Sequence, residues 1–159
     1  MKIRKASEED IQDIQVLIFR NVDEVMSKLH SKDVLEDIKT HSTIDSLSSQ
    51  LQWKQVYVIE EDDQIVATGA FANFGTSEKP KYSVSNLFVV PERHRKGIGT
   101  LLMKQIIHDA NEKEASDIHV PSSKTGINFY TQFGFEIDRD QPEANAEITW
   151  MTKKLKPSY

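Results

Sequence analysis

Val89-Val90-Pro91-Glu92-Arg93-His94-Arg95-Lys96-Gly97-Ile98-Gly99-Thr100-Leu101-Leu102 carries an apolar strand through a basic, glycine-containing loop into a long helix. The first turn of such a helix has amides with no intrahelical partner and a partial positive charge, which together bind phosphate or pyrophosphate. Gly97 and Gly99 lack the Cβ that would hold an anion off the backbone. Arg93, Arg95 and Lys96 bring positive charge to the same place, and Thr100 offers a hydroxyl. Two plainer readings compete with this one. Gly97 permits a tight strand–helix turn, and the basic side chains form a solvated loop. The loop is not a Walker A motif, since it has no Gly-Lys-Ser/Thr, and it lacks the three-glycine dinucleotide fingerprint.

Upstream of the loop the periodicity is that of strands. Tyr82–Val90 ends in Leu87-Phe88-Val89-Val90, as apolar as a central strand covered on both faces. Before it, Val56–Glu60 and Ile65–Phe74 flank the polar Glu61–Gln64 and read as a hairpin. The N-terminal part is helical after a short strand, Lys2–Lys5. Ser7 precedes a stripe of Ile11, Ile14, Leu17, Ile18, Val22 and Val25, Ser31 opens a second helix, and a further turn or two holds Ile44, Leu47 and Leu51. Downstream, Ile98, Leu101, Leu102, Ile106 and Ala110 predict the buried face of the helix after the loop. Asp117–Val120 follows as a strand, Gly126–Phe133 as a short helix, and Phe135–Ile137 and Glu147–Leu155 as strands. The order specifies a mixed α/β layer fold with a mainly antiparallel N-terminal half.

Composition bounds the function. The 159 residues, 38% hydrophobic and 28% charged, fit one domain spanning residues 1–159 with a core of its own. Zero cysteines exclude disulfides, thiolate metal sites and a cysteine nucleophile. No apolar run is long enough to cross a membrane, and the basic start lacks the apolar stretch of a signal peptide, so a soluble cytoplasmic protein is expected. The net charge of −5 speaks against non-specific nucleic-acid binding and is compatible with a cationic amine substrate.

Ile127-Asn128-Phe129-Tyr130-Thr131-Gln132-Phe133-Gly134-Phe135 is a second informative segment: a short aromatic helix stopped by Gly134. Taken with the loop, it resembles the GNAT superfamily of acyl-CoA N-acyltransferases. That family's loop reads Gln/Arg-x-x-Gly-x-Gly/Ala after Val-x-Pro, matched by Val89 to Gly99. Its later Phe-Tyr-x-x-x-Gly-Phe is matched by residues 129–135. The order of elements agrees over nearly the whole chain.

The resemblance implies a mainly antiparallel central sheet flanked by helices, with its fourth and fifth strands splayed into a cofactor cleft. It implies acetyl-CoA as co-substrate and no metal. The amides of Arg95, Lys96, Gly97, Ile98, Gly99 and Thr100 would hold the pyrophosphate, with His94 donating to phosphate from the usual Gln/Arg position. The strand end Phe88, Val89 and Val90 would bond the pantetheine arm through the backbone groups of Phe88 and Val90. Ser123 stands where the family often has an Asn that bonds the same arm, and Tyr130 would give its proton to the CoA thiolate. The acceptor would be a primary amine of a small molecule or peptide, attacked directly in a ternary complex. A non-catalytic acyl-CoA-binding module is the alternative, and a phosphate site for another nucleotide a third. A homodimer is compatible with either of the first two. No general base stands out. The strand Tyr82–Val90 has no carboxylate, His119 on the next strand is a weak candidate, and Glu60, His30, His41 and Glu147 read as surface residues. Trp53, Tyr57, Phe71, Phe74, Tyr82 and Trp150 are aromatic candidates for the acceptor wall, each competing with a place in the core.

Overall fold

The computed structural model describes residues 1–141 and 147–155. Its elements run β1 (Lys2–Lys5), α1 (Ile11–Glu24), α2 (Lys32–Thr40), α3 (Ile44–Gln50), β2 (Gln55–Glu61), β3 (Gln64–Asn73), β4 (Tyr82–Val89), α4 (Ile98–Glu112), β5 (Asp117–Ser123), α5 (Ile127–Thr131), β6 (Glu136–Ile137) and β7 (Ile148–Lys154). The strands form one seven-stranded sheet in the order β1-β2-β3-β4-β5-β7-β6. β1 pairs antiparallel with β2, and β7 antiparallel with both β5 and β6, whereas β4 and β5 run parallel with Ser83 opposite His119. This is the mixed, mainly antiparallel sheet that the resemblance implies. Among the described residues no helix is long and apolar enough to cross a membrane.

The chain packs as two compact units, residues 1–70 with 86–104, and 71–85 with 105–159. In the first, the α1 stripe sets the core. Ile11, Ile14, Ile18 and Val22 are buried with Leu47 of α3 and Val58 of β2. Leu17, one step round the same helix, joins a second cluster with Tyr57, Ile59, Val66, Val90, Ile98 and Leu102. Both short helices are capped by the hydroxyls placed before them: Ser31 Oγ accepts from the Val34 amide and Thr43 Oγ1 from the Ser46 amide. The hairpin between β2 and β3 turns on Asp62 and Asp63, both left-handed at φ +52° and +62°, as a two-residue turn requires.

Helix α4 differs from the expected face at one position. Ile98, Leu102, Ile106 and Ala110 are buried, but Leu101 is 41% exposed and Met103 is buried in its stead. The i, i+4 row is decisive here, and Leu101 falls on its flank. The second unit buries Ile118, Val120 and Ser122 on one face of β5, with Thr149 and Met151 of β7. Gly134, at φ +92°, ends the α5 segment as anticipated.

An ion-pair knot closes the first unit at its N-terminal edge. Arg4 donates to both carboxylate oxygens of Asp10 at 2.8 and 2.9 Å and to Glu60 at 2.7 Å, while the Ser7 amide also donates to Asp10 at 2.8 Å. The Arg4 hydrogen bonds hold the buried Asp10 carboxyl below the usual carboxylate range. Its folded-state value is depressed, so its contribution is complete above the unfolded carboxylate range and fades as pH falls through the folded value. Asp10→Asn is therefore expected to lower the unfolding free energy at pH 7 by about 2 kcal/mol. In urea titrations the gap from wild type should narrow as the pH falls through the folded carboxyl's value, below the usual carboxylate range.

Candidate active site

The basic loop is a backbone concavity. Arg95 and Gly97 are left-handed, at φ +63° and +82°, and Lys96 between them is not. Such alternation turns successive N–H groups to one side and makes a nest for an anion. The first bond closing α4 runs from the Leu101 amide to the Gly97 carbonyl at 3.3 Å, so the Ile98, Gly99 and Thr100 amides head out of the helix end. No atom lies within 4 Å of where a Gly97 Cβ would stand. The concavity is open, and a diphosphate fits it in charge and in the absence of competing side chains. Gly97 is required by its backbone sign rather than by crowding.

Charge is divided unevenly in the loop. Arg93 is paired with Glu61, and Glu92 with Arg20 at 2.8 Å, so both brace the loop against the first unit. The Arg20 hydrogen bonds pull the exposed Glu92 carboxyl down to about 2. Arg95 and Lys96 are exposed and have no ion pair among the described residues.

His94 departs from the expectation that it donates to phosphate. Its Nε2 lies 2.7 Å from the Val89 carbonyl and 3.2 Å from Asn21 Oδ1. Both partners accept, so Nε2 carries the proton and is already engaged. Asn21 in turn donates Nδ2 to the carbonyls of Leu17 and Val89 at 3.0 and 2.9 Å. The imidazole ties the loop to the strand end.

The strand end itself is phased differently from the sequence reading. Asn86 is left-handed at φ +52° within β4, the signature of a bulge. The Val90 amide donates to the Val66 carbonyl of β3 at 2.9 Å, and the Val90 carbonyl accepts the Arg93 amide at 2.9 Å. Val90 thus has its amide engaged by β3 and its carbonyl already accepting one bond from the loop. Backbone groups alternate sides along a strand, which sends Phe88 the same way as Val90 and turns the Leu87 and Val89 amides away from β3. Leu87, Phe88 and Val89 are only half-buried, although their apolar character predicts full cover. A bulge is one residue, and one residue reverses which groups point outward.

In the second unit Tyr130 sits on α5, edge-on to Phe129 and Phe135 at 5.2 and 5.7 Å between ring centres. A Cβ on Gly126 would press on Ser122 Oγ at 2.8 Å, while standing at ordinary contact distance, 3.4 Å, from the Tyr130 ring. Burial pushes the phenol well above its ordinary range, and it stays protonated at neutral pH. Ser123 Oγ meets Thr125 Oγ1 at 3.1 Å.

His119 is held in a network. Nδ1 lies 2.9 Å from Thr152 Oγ1 and 3.1 Å from Gln141 Nε2, and Nε2 faces Asp117 at 3.4 Å. Thr152 and Gln141 both donate to Asp138, whose carboxyl those two bonds hold below its usual range. Glu60 is committed to Arg4. The aromatic candidates divide: Tyr57 and Phe71 are core, Tyr82 stacks on Phe71 at 5.4 Å, Trp150 lies under the Lys81 ammonium at 4.1 Å, and Trp53 and Phe74 are exposed.

Sequence reasoning missed Asn21, Gln50, Lys54 and Asn86. The Asn86 carboxamide donates to Gln50 Oε1 at 2.8 Å, and Lys54 Nζ donates to the same oxygen at 3.0 Å. An Asn inside an apolar strand, and another inside an apolar helical stripe, were the available signals, since Asn is depleted in strands and tolerates the left-handed region.

Comparison with known proteins agrees with this geometry. The sequence model of the acetyltransferase (GNAT) domain matches residues 22–156. No curated protein sequence matches the chain. Among solved structures, the PaiA N-acetyltransferase of Thermoplasma acidophilum in complex with coenzyme A superposes with a TM-score of 0.81 at 17% identity, over 96% of this chain and 98% of that one. The ribosomal-protein-alanine N-acetyltransferase of Brucella melitensis gives 0.73 at 19% identity, over 98% and 100%. A predicted acetyltransferase of Clostridium acetobutylicum with acetyl-CoA gives 0.67 at 23%, over 91% and 95%. At these identities the structures speak to the fold. With the domain match covering most of its length, the chain belongs to the GNAT acetyltransferase family.

Proposed function

We propose that residues 1–159 form one catalytic domain, an acetyl-CoA-dependent N-acetyltransferase acting on a primary amine of a small molecule or peptide. The observation that carries this reading is the open nest of Arg95–Gly97 running into the free amides of Ile98, Gly99 and Thr100. It supplies donors for a diphosphate, with Arg95 and Lys96 for the remaining charge. Acetyl-CoA bound there supplies an activated thioester.

The chain's own groups do the rest. The half-buried Leu87–Val89 segment offers apolar cover to the pantetheine arm, and its outward amides, Leu87 and Val89, hydrogen-bond it and the thioester carbonyl. Amides already fixed in place stabilise the charge that develops on that oxygen without reorganising. Ser123 is the hydroxyl donor to the arm. Tyr130, protonated throughout the physiological range, donates to the departing sulfur. With no cysteine in the chain, the acetyl group passes directly from sulfur to the amine.

Gly99→Glu places a side chain and a negative charge in the cradle. It is expected to remove the rise in melting temperature that acetyl-CoA gives the wild type, while the variant keeps its own fold by circular dichroism. Unchanged acetyl-CoA affinity in the folded variant would overturn the cofactor site.

Tyr130→Phe is expected to lower kcat by about a hundredfold with little change in KM for acetyl-CoA, as removal of a proton donor does. CoA release across an amine panel, with product masses, reads this out. Acetyl-CoA binding with no turnover on any amine would favour the non-catalytic module.

A further inference from the structure

Lys54 stands next to the bulge that exposes the Leu87 and Val89 amides. It follows α3 by one turn, with its backbone amide donating to the Gln50 carbonyl at 2.9 Å. Its Nζ shares Gln50 Oε1 with the carboxamide of Asn86. Gln50 cannot swing to accommodate only one of them, because its own Nε2 is fixed to the His41 carbonyl and to Ser46 Oγ at 3.0 and 3.1 Å. A small hollow beneath the bulge is lined by Gln50, Asn86, Leu47 and Thr68, so these side chains meet at one place in the first unit. Trp53, 51% exposed, lies beneath the Lys54 ammonium at 5.1 Å.

We propose that Lys54 is itself an acetyl acceptor, modified on Nζ by acetyl-CoA bound to the same chain. The inference rests on the functional reading above, which puts the thioester carbonyl at the amides following Asn86. The step balances without another reactant. The neutral Nζ attacks the carbonyl carbon, the new C–N bond forms as the C–S bond breaks, and the proton lost from nitrogen ends on the CoA sulfur. The products are Nε-acetyl-Lys54 and free CoA. Burial prepares the nucleophile by pulling the Lys54 amine down to about 8, so a large fraction is uncharged at slightly alkaline pH. Acetylation abolishes the charge over Trp53 and lengthens the side chain beside the bulge, which would obstruct the approach of an external amine.

The test is incubation of the purified protein with acetyl-CoA at pH 8, followed by peptide mass mapping with time. Lys54 is expected to gain an acetyl group at least roughly tenfold faster than the surface lysines, given the larger neutral fraction, and at a rate independent of protein concentration. Acetyl phosphate, which needs no cradle, should show much less preference for Lys54. Lys54→Arg should lose the fast site yet still be stabilised by acetyl-CoA in thermal shift, and Lys54→Met serves if that variant folds poorly. A Lys54 that is unmodified, or modified no faster than the other lysines, overturns the inference. If acetyl-CoA still raises the wild-type melting temperature in that case, the functional reading survives. If it does not, both fall.

Discussion

The Val89 carbonyl is held by two side chains, Asn21 Nδ2 and His94 Nε2, and much of the first unit's chemistry depends on that arrangement. One acceptor oxygen brings together the last turns of α1, the end of β4 and the first residues of the loop. A buried carbonyl without partners would be costly, so the strand can end here only because Asn and His reach it. Once it ends, the chain is free to turn through left-handed Arg95 and Gly97 and to present its amides outward. Arg20–Glu92 and Arg93–Glu61 hold the same turn from the outside, but exposed pairs of this kind contribute little beside the shared carbonyl.

The same economy governs β4. A left-handed Asn86 interrupts the strand, and the Gln50 side chain of α3 satisfies its carboxamide. The bulge shifts the phase of everything after it by one residue. Val90 then gives its amide to β3, while Leu87 and Val89 turn the other way. An apolar strand end that is only half-buried, with amides turned away from β3, is a poor protein interior. The Gln50 that supports the bulge also receives Lys54, so one side-chain oxygen holds both.

Tyr130 illustrates how packing sets a protonation state. Its ring is closed in by Phe129 and Phe135. The apolar surroundings disfavour the phenolate, which keeps the phenol protonated. His119 shows the opposite use of a titratable group. It is tied through Thr152 and Gln141 to Asp138 and through Nε2 to Asp117, within a polar row across β5 and β7. Its residue type alone does not distinguish a base from a member of such a row.

Much of the fold was legible because hydrophobic periods and punctuation are local properties. The Ile11–Val22 stripe, the Asp62-Asp63 turn and the helix start at Ser31 act within a few residues of themselves. The turn at Gly97 into α4 was legible for the same reason, since it needs no distant partner. The roles of His94, Val90, Asn21 and Lys54 were not, because each depends on an atom far along the chain. His94 and Asn21 share the Val89 carbonyl, Val90 bonds Val66, and Lys54 meets Asn86 only through Gln50. Sequence by itself determined most of the elements, their order and the glycine-bearing turn that opens α4. Tertiary structure decided which way the strand's amides point and which polar side chains are already engaged, because hydrogen-bond partners are assigned by proximity in space.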